Sequence, residues 1–175
     1  MKTTYYANLN KIDMSKYTPV AISGDCGKLV GFEGMALREL SPYPFFRRWK
    51  EIENKIDDMY DIGEISMKEY RDYKQENQNA YIRQFYQSVL KKLDPREVYS
   101  KLGENAVLLC FEKPTEFCHR FLVAGWLEYN LNIEVNEIGY ENDKQVQENR
   151  ARLKSKIINE IVKDEMTKQE KTNEI

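Results

Sequence analysis

Two short segments carry most of the reactive side chains. Cys110-Phe111-Glu112 and Cys118-His119-Arg120 bring two thiols, a carboxylate, a guanidinium and the only histidine of the chain close together in sequence. A carboxylate and an imidazole are the usual groups for general acid–base work. Cys118 beside His119 is a candidate nucleophile, and a cysteine near a helix start and cations is expected to lose its proton easily. Arg120 offers a planar donor fork that suits phosphate or carboxylate, and the unpaired first-turn amides of a helix add to such an anion site. The candidate catalytic set is therefore His119, Glu112 and Cys118. The candidate ligand-binding set is Arg120 and Cys110, together with Ser23 from the loop Ser23-Gly24-Asp25-Cys26-Gly27. The competing structural reading makes Glu112, His119 and Arg120 a local ion-pair and hydrogen-bond set that ties a strand exit to a helix.

Metal binding and a phosphate loop are the other chemistries to weigh. Cys26, Cys110, Cys118 and His119 form a Cys₃His inventory. Structural zinc sites usually contain a close cysteine pair with two to four residues between, and none is present. On spacing, no metal is expected. Gly27-Lys28 lies in a glycine-rich stretch, since four of the eight glycines fall between Gly24 and Gly34. The spacing is nevertheless not that of a nucleotide-binding phosphate loop. No particular cofactor is indicated.

These groups must be positioned by the surrounding elements. Thr3 to Leu9 and Pro19 to Ile22 read as strands, from their β-branched and aromatic content. Trp49, Ile52, Ile56 and Met59 make a helical stripe after Pro42 and Pro44, ended by Asp61-Ile62-Gly63. Ser66 stands three residues before Glu69, a capping-box pattern, and Ile82, Phe85, Tyr86, Val89, Leu90 and Leu93 continue a second stripe. Asp94-Pro95-Arg96-Glu97 opens a short helix that Gly103 closes. Ala106 to Phe111 is almost continuously apolar, as a strand covered on both faces must be. Phe117 to Leu131 reads as a buried helix and Ile133 to Glu137 as a half-exposed strand. This order predicts an α/β fold: one three-layer, Rossmann-like domain over residues 1–140 with a small, mostly parallel sheet. Residues 141–175 read as a C-terminal helical extension. Its sparse stripe of Val146, Leu153, Ile157, Ile161 and Met166 could pair a second copy of the chain, and its last eight or so residues are expected to fray.

Composition narrows the partners. The 175 residues carry 27 basic and 29 acidic side chains, a net charge of −2. That balance disfavours nucleic acid, although Arg47, Arg48 and the tyrosines keep a single-strand binder in view. No apolar run approaches the roughly 18 residues of a membrane span, no apolar leader is evident, and three cysteines suit a reducing compartment, so a cytoplasmic protein is expected.

Leu108-Leu109-Cys110-Phe111-Glu112-Lys113-Pro114, then Phe117-Cys118-His119-Arg120 and Ala124-x-Trp126-Leu127, resembles a widespread bacterial family of unknown function. Its signature is Leu-Leu-Cys-x-Glu followed by Cys-His-Arg. Tyr5-Tyr6-Ala7-Asn8-Leu9, Pro19-Val20-Ala21-Ile22-Ser23, Leu40-Ser41-Pro42 and Leu93-Asp94-Pro95-x-Glu97-Val98 are similar to other parts of it, so the likeness spans about residues 3 to 138. Ser41 stands where the family tends to have alanine, and Cys26 is outside the motif. The resemblance implies a site made of Cys110, Glu112, Cys118, His119 and Arg120 but no reaction. The expected function is binding of a small phosphorylated or nucleotide-like anion at the carboxyl edge of the sheet, with or without catalysis. The alternative is a non-catalytic interaction module whose Cys-His-Arg segment is structural.

Overall fold

The structure is a computed structural model and describes residues 1–43 and 45–173. Strands β1 (Lys2–Tyr5), β2 (Thr18–Ala21), β3 (Met35–Ala36), β4 (Ala106–Cys110) and β5 (Asn136–Glu137) form one sheet in the order β3-β2-β4-β1-β5. All four pairings are parallel. The helices are α1 (Phe46–Asp61), α2 (Met67–Ser88), α3 (Pro95–Leu102), α4 (His119–Leu131) and α5 (Lys144–Asn173). The α/β class and the parallel sheet are as the sequence predicts.

Alternation along the strands sorts the core into two unequal parts. Val20, Ile22, Ala106, Leu108 and Cys110 face one cluster, which also holds the buried side chains of α2, α3, α4 and α5. Ala21, Val107 and Leu109 face a smaller cluster covered by Tyr6, Ile12 and Cys26. That thinner layer is built from a 3₁₀ segment, Tyr6–Lys11, and the glycine-rich loop. The predicted strand to Leu9 therefore ends at Tyr5. Asn8 turns back to bond Thr4 Oγ1 at 3.1 Å, a local side-chain bond that favours a turn over continued pairing.

Other boundaries follow local chemistry. Ser66 and Glu69 make the reciprocal capping box, and Asp94 caps α3 with Pro95 in its first turn. Leu90 is fully buried but lies in a 3₁₀ turn after α2, not in the helix. The two-residue strand β3 lies just beyond the glycine-rich loop, where no apolar run announces it. Pro44 lies outside the described residues.

α5 is not a loose extension. Val146, Leu153 and Ile157 are fully buried and Ile161 nearly so. Gly125 of α4 makes the approach possible, because a Cβ there would lie 3.1 Å from the Cα of Lys154. These four side chains face the chain's own core, whereas Met166 further along the helix is exposed. The chain is helical through Asn173, so residues 168–173 of the expected frayed end are helix, and residues 174–175 lie outside the described residues. Among the described residues no helix is long and apolar enough to cross a membrane.

Burying four aliphatic side chains at about 1.5–3 kcal/mol each contributes roughly 6–12 kcal/mol. That is comparable with the whole stability of a domain, about 5–15 kcal/mol. A 1–140 fragment should therefore show no cooperative thermal transition by circular dichroism. A fragment that melts cooperatively near the full-length temperature would show that α5 is dispensable.

Candidate functional site at the carboxyl edge of the sheet

β2 and β4 are neighbours, but their exits diverge. The chain leaving β2 runs outward to the edge strand β3, whereas the chain leaving β4 passes β1 to reach β5 on the opposite side. Such a divergence opens a crevice at the carboxyl ends of parallel strands. A cleft of about 600 Å³ lies there. The β2 exit contributes Ser23, Gly24 and Asp25, the end of β4 and its exit contribute Cys110, Phe111 and Glu112, and α4 contributes His119. Leu29, Pro42, Tyr43, Phe46 and Arg47 form the outer wall.

At the base, four groups converge on one another. Glu112 Oε2 accepts from Cys110 Sγ at 3.0 Å and from Cys118 Sγ at 3.1 Å. Cys110 Sγ lies 3.5 Å from His119 Nδ1. His119 Nε2 donates to the Ile22 carbonyl at 3.0 Å, and the ring stands edge-on to Phe85. The orientation of the imidazole is thus set by β2 and α2 rather than by its own helix.

The electrostatics correct one expectation. Cys118 is the N-cap residue of α4, yet its thiol pKa is pushed well up: burial dominates, and Cys110 and Glu112 add to it. Cys110 is raised for the same leading reason. The helix start and Arg120 do not offset the loss of solvent, so burial opposes the thiolate at both sulfurs, which donate to Glu112. Burial also works against the charge on Glu112, but the two thiols and His119 outweigh it and hold its pKa below the usual range. For His119 burial favours the neutral ring, while Cys118, Glu112 and the Ile22 carbonyl together raise its pKa. The surroundings thus favour charge on Glu112 and protonation of His119, and both thiols donate to the carboxylate.

Arg120 is placed differently from the sequence expectation. It has no exposed surface and does not line the cleft. Its Nη2 donates to Glu137 Oε1 at 3.1 Å and its Nε to Glu137 Oε2 at 3.3 Å. Its Nη1 donates to the Glu112 carbonyl at 2.7 Å. Thr3 Oγ1 donates to Glu137 Oε2 at 2.6 Å. The fork is occupied by a partner inside the protein, so the role of Arg120 is to position Glu112 and close the edge.

The remaining candidates divide clearly. Ser23 lines the cleft, bonded to Tyr6 Oη and Asp25 Oδ1, both at 2.8 Å. Cys26 is remote from the other cysteines' cluster and accepts from Arg38 Nε at 2.9 Å, so the Cys₃His inventory does not assemble. Arg47, Tyr43 and Phe46 are cleft residues that the sequence did not mark as such. Arg47 and the tyrosines carried a signal only as possible nucleic-acid contacts, and Phe46 carried none beyond its place after Pro42. The Arg47 side chain is 90% exposed and pairs with Glu51, a surface contact of little strength.

The chain matches no family model, no curated protein and no solved structure.

Removing one partner of a buried ion pair typically costs about 3–5 kcal/mol, because the other charge is left uncompensated. Arg120→Ala and Glu137→Gln should each lower the unfolding free energy by that order in urea titrations. The double variant Arg120→Met/Glu137→Met should recover most of the loss. Wild-type stability in either single variant would contradict the pairing.

Proposed function

We propose that the chain binds a small phosphorylated or nucleotide-like molecule in the cleft between the β2 and β4 exits, and that Glu112 is the group that takes a proton from it. The observation that carries this reading is the crevice at the diverging strand exits, with the Glu112 carboxyl and the His119 imidazole at its base. An apolar wall with a few polar groups at the bottom is the usual make-up of a small-molecule site. Phe46, Tyr43 and Phe111 offer flat surfaces to a planar ring, and Arg47 offers a charge to an anionic group. Arg47, not Arg120, is the cation available to ligand. Glu112 and His119, whose surroundings drive them toward opposite protonation states, are suited to paired proton transfer.

An interaction module remains the second reading. It is favoured by Leu29 and Tyr43 at the cleft mouth, which are 83% and 77% exposed.

The test is a thermal-shift series with inorganic phosphate, sugar phosphates and nucleoside phosphates. A ligand at about 100 times its Kd should stabilise the fold by about 2.7 kcal/mol. Arg47→Ala should weaken the binding of the stabilising ligand about tenfold, the loss of one charge-assisted contact of roughly 1.5 kcal/mol, with the melting temperature of the free protein unchanged. No stabilisation by any of these compounds, or equal binding by Arg47→Ala, would sink the reading.

A further inference from the structure

We infer that the floor of the cleft is a binding site for a zinc-type divalent cation, held by Cys110, Cys118 and His119. The ligand atoms of these three buried residues all lie within 4.8 Å of one another. Two thiolates, an imidazole and a fourth partner around zinc stand about 3.5–3.8 Å apart in a tetrahedron. Cys110 Sγ and His119 Nδ1 already meet this at 3.5 Å, and the remaining separation closes by about 1 Å with side-chain rotation. The spacing rule that disfavours zinc fails here because the cysteines are eight apart in sequence but face each other across a strand exit. Cys110 ends β4 and Cys118 caps α4.

Two further observations point to an ion rather than to an ordinary core. The first is the imidazole. A ligating histidine typically donates its other N–H to a carbonyl or carboxylate, which fixes the ring. His119 Nε2 is bonded in this way to the Ile22 carbonyl, and Nδ1 is left facing the sulfurs. The second is the carboxylate. Glu112 Oε2 accepts from both thiols, so the two protons occupy the space among three groups of potential negative charge. One divalent cation replaces those two protons without changing the net charge. Both S–H bonds break, two metal–sulfur bonds form, and two protons leave to solvent. If Nδ1 carries a proton, that leaves as well.

The donor set selects the ion by chemistry. Thiolates and imidazole favour zinc over magnesium, calcium or manganese. Cys110 and His119 line the cleft while Cys118 lies behind them. The fourth position therefore opens toward the cleft, with Glu112 beside it. Three protein ligands with an open position is the arrangement of catalytic rather than structural zinc. This last step deepens the reading of the cleft as a reaction site and rests on it. The ion site itself does not.

The experiment uses the full chain, reduced and freed of metal by chelator, and titrated with cobalt(II) alone. The expected result is saturation at one cobalt per chain, with thiolate-to-cobalt charge-transfer absorption and the strong visible bands of four-coordinate cobalt, all removed by added zinc. Cys26→Ser should keep the full spectrum. Cys118→Ser should lose about half of the charge-transfer intensity and bind at least tenfold more weakly. The wild-type titration needs no variant, so the inference stands or falls even if Cys118→Ser does not fold. Absence of the charge-transfer band, its loss in Cys26→Ser, or formation of a Cys110–Cys118 disulfide in place of metal uptake would overturn it. A cobalt spectrum with no phosphorylated ligand bound would reject the ligand reading and leave the ion site in place. Ligand binding without a cobalt spectrum would do the reverse.

Discussion

The buried pair between Arg120 and Glu137 is the constraint on which the carboxyl edge of this protein depends. Both side chains are fully excluded from solvent. Arg120 is in the first turn of the 13-residue α4, and Glu137 ends a strand of two residues. An ion pair of this kind gives little net stability, since desolvation offsets the attraction. What it fixes is geometry. Glu137 also accepts from Thr3 of β1, and Arg120 also donates to the carbonyl of Glu112 beyond β4. One interaction thus joins β1, β5, α4 and the β4 exit.

The reactive cluster is arranged one step from that pair. Arg120 holds the backbone of Glu112, and the Glu112 side chain gathers the two thiols. The site is solvent-poor and its protons are shared among close neighbours, so electrostatic interactions there are stronger than at the surface. The two basic residues that the sequence places side by side are held apart. Arg120 is turned into the core, while His119 faces the cleft.

The fold was legible where burial and local chemistry agree. Ala106 to Cys110 and the α4 run are apolar because the β4–α4 layer is enclosed, and Asp94-Pro95 with Gly103 bounds α3 by capping alone. Other features depend on distant residues. Glu137 reads as one face of a half-exposed strand, and only the register Thr3↔Glu137 turns it inward toward Arg120. The stripe on α5 is thin, and its importance comes from Gly125 on another helix. The proximity of Cys118 to cations suggested a reactive thiolate, but the depth of burial is a tertiary property that spacing does not carry. That Cys110, Cys118 and His119 share one site was legible in the sequence, but the approach of their ligand atoms to within 4.8 Å was not.

The strand order has a further meaning for how the chain comes together during synthesis. β1 lies between β4 and β5, and its four residues pair with Val107 to Cys110 on one side and with Asn136 and Glu137 on the other. β2 likewise pairs with β4, not with β1. The amino-terminal strands therefore have no central neighbour until more than a hundred residues have left the ribosome. Long-range parallel pairing of this kind closes slowly, since loop entropy is lost before contacts compensate it. Until β4 emerges, β1 has no strand partner, β2 has only the two-residue β3, and the α1–α2 hairpin is the other part of the nascent chain with a local partner. The sheet is in this sense closed by its central strand β4, for which β1 and β2 must wait.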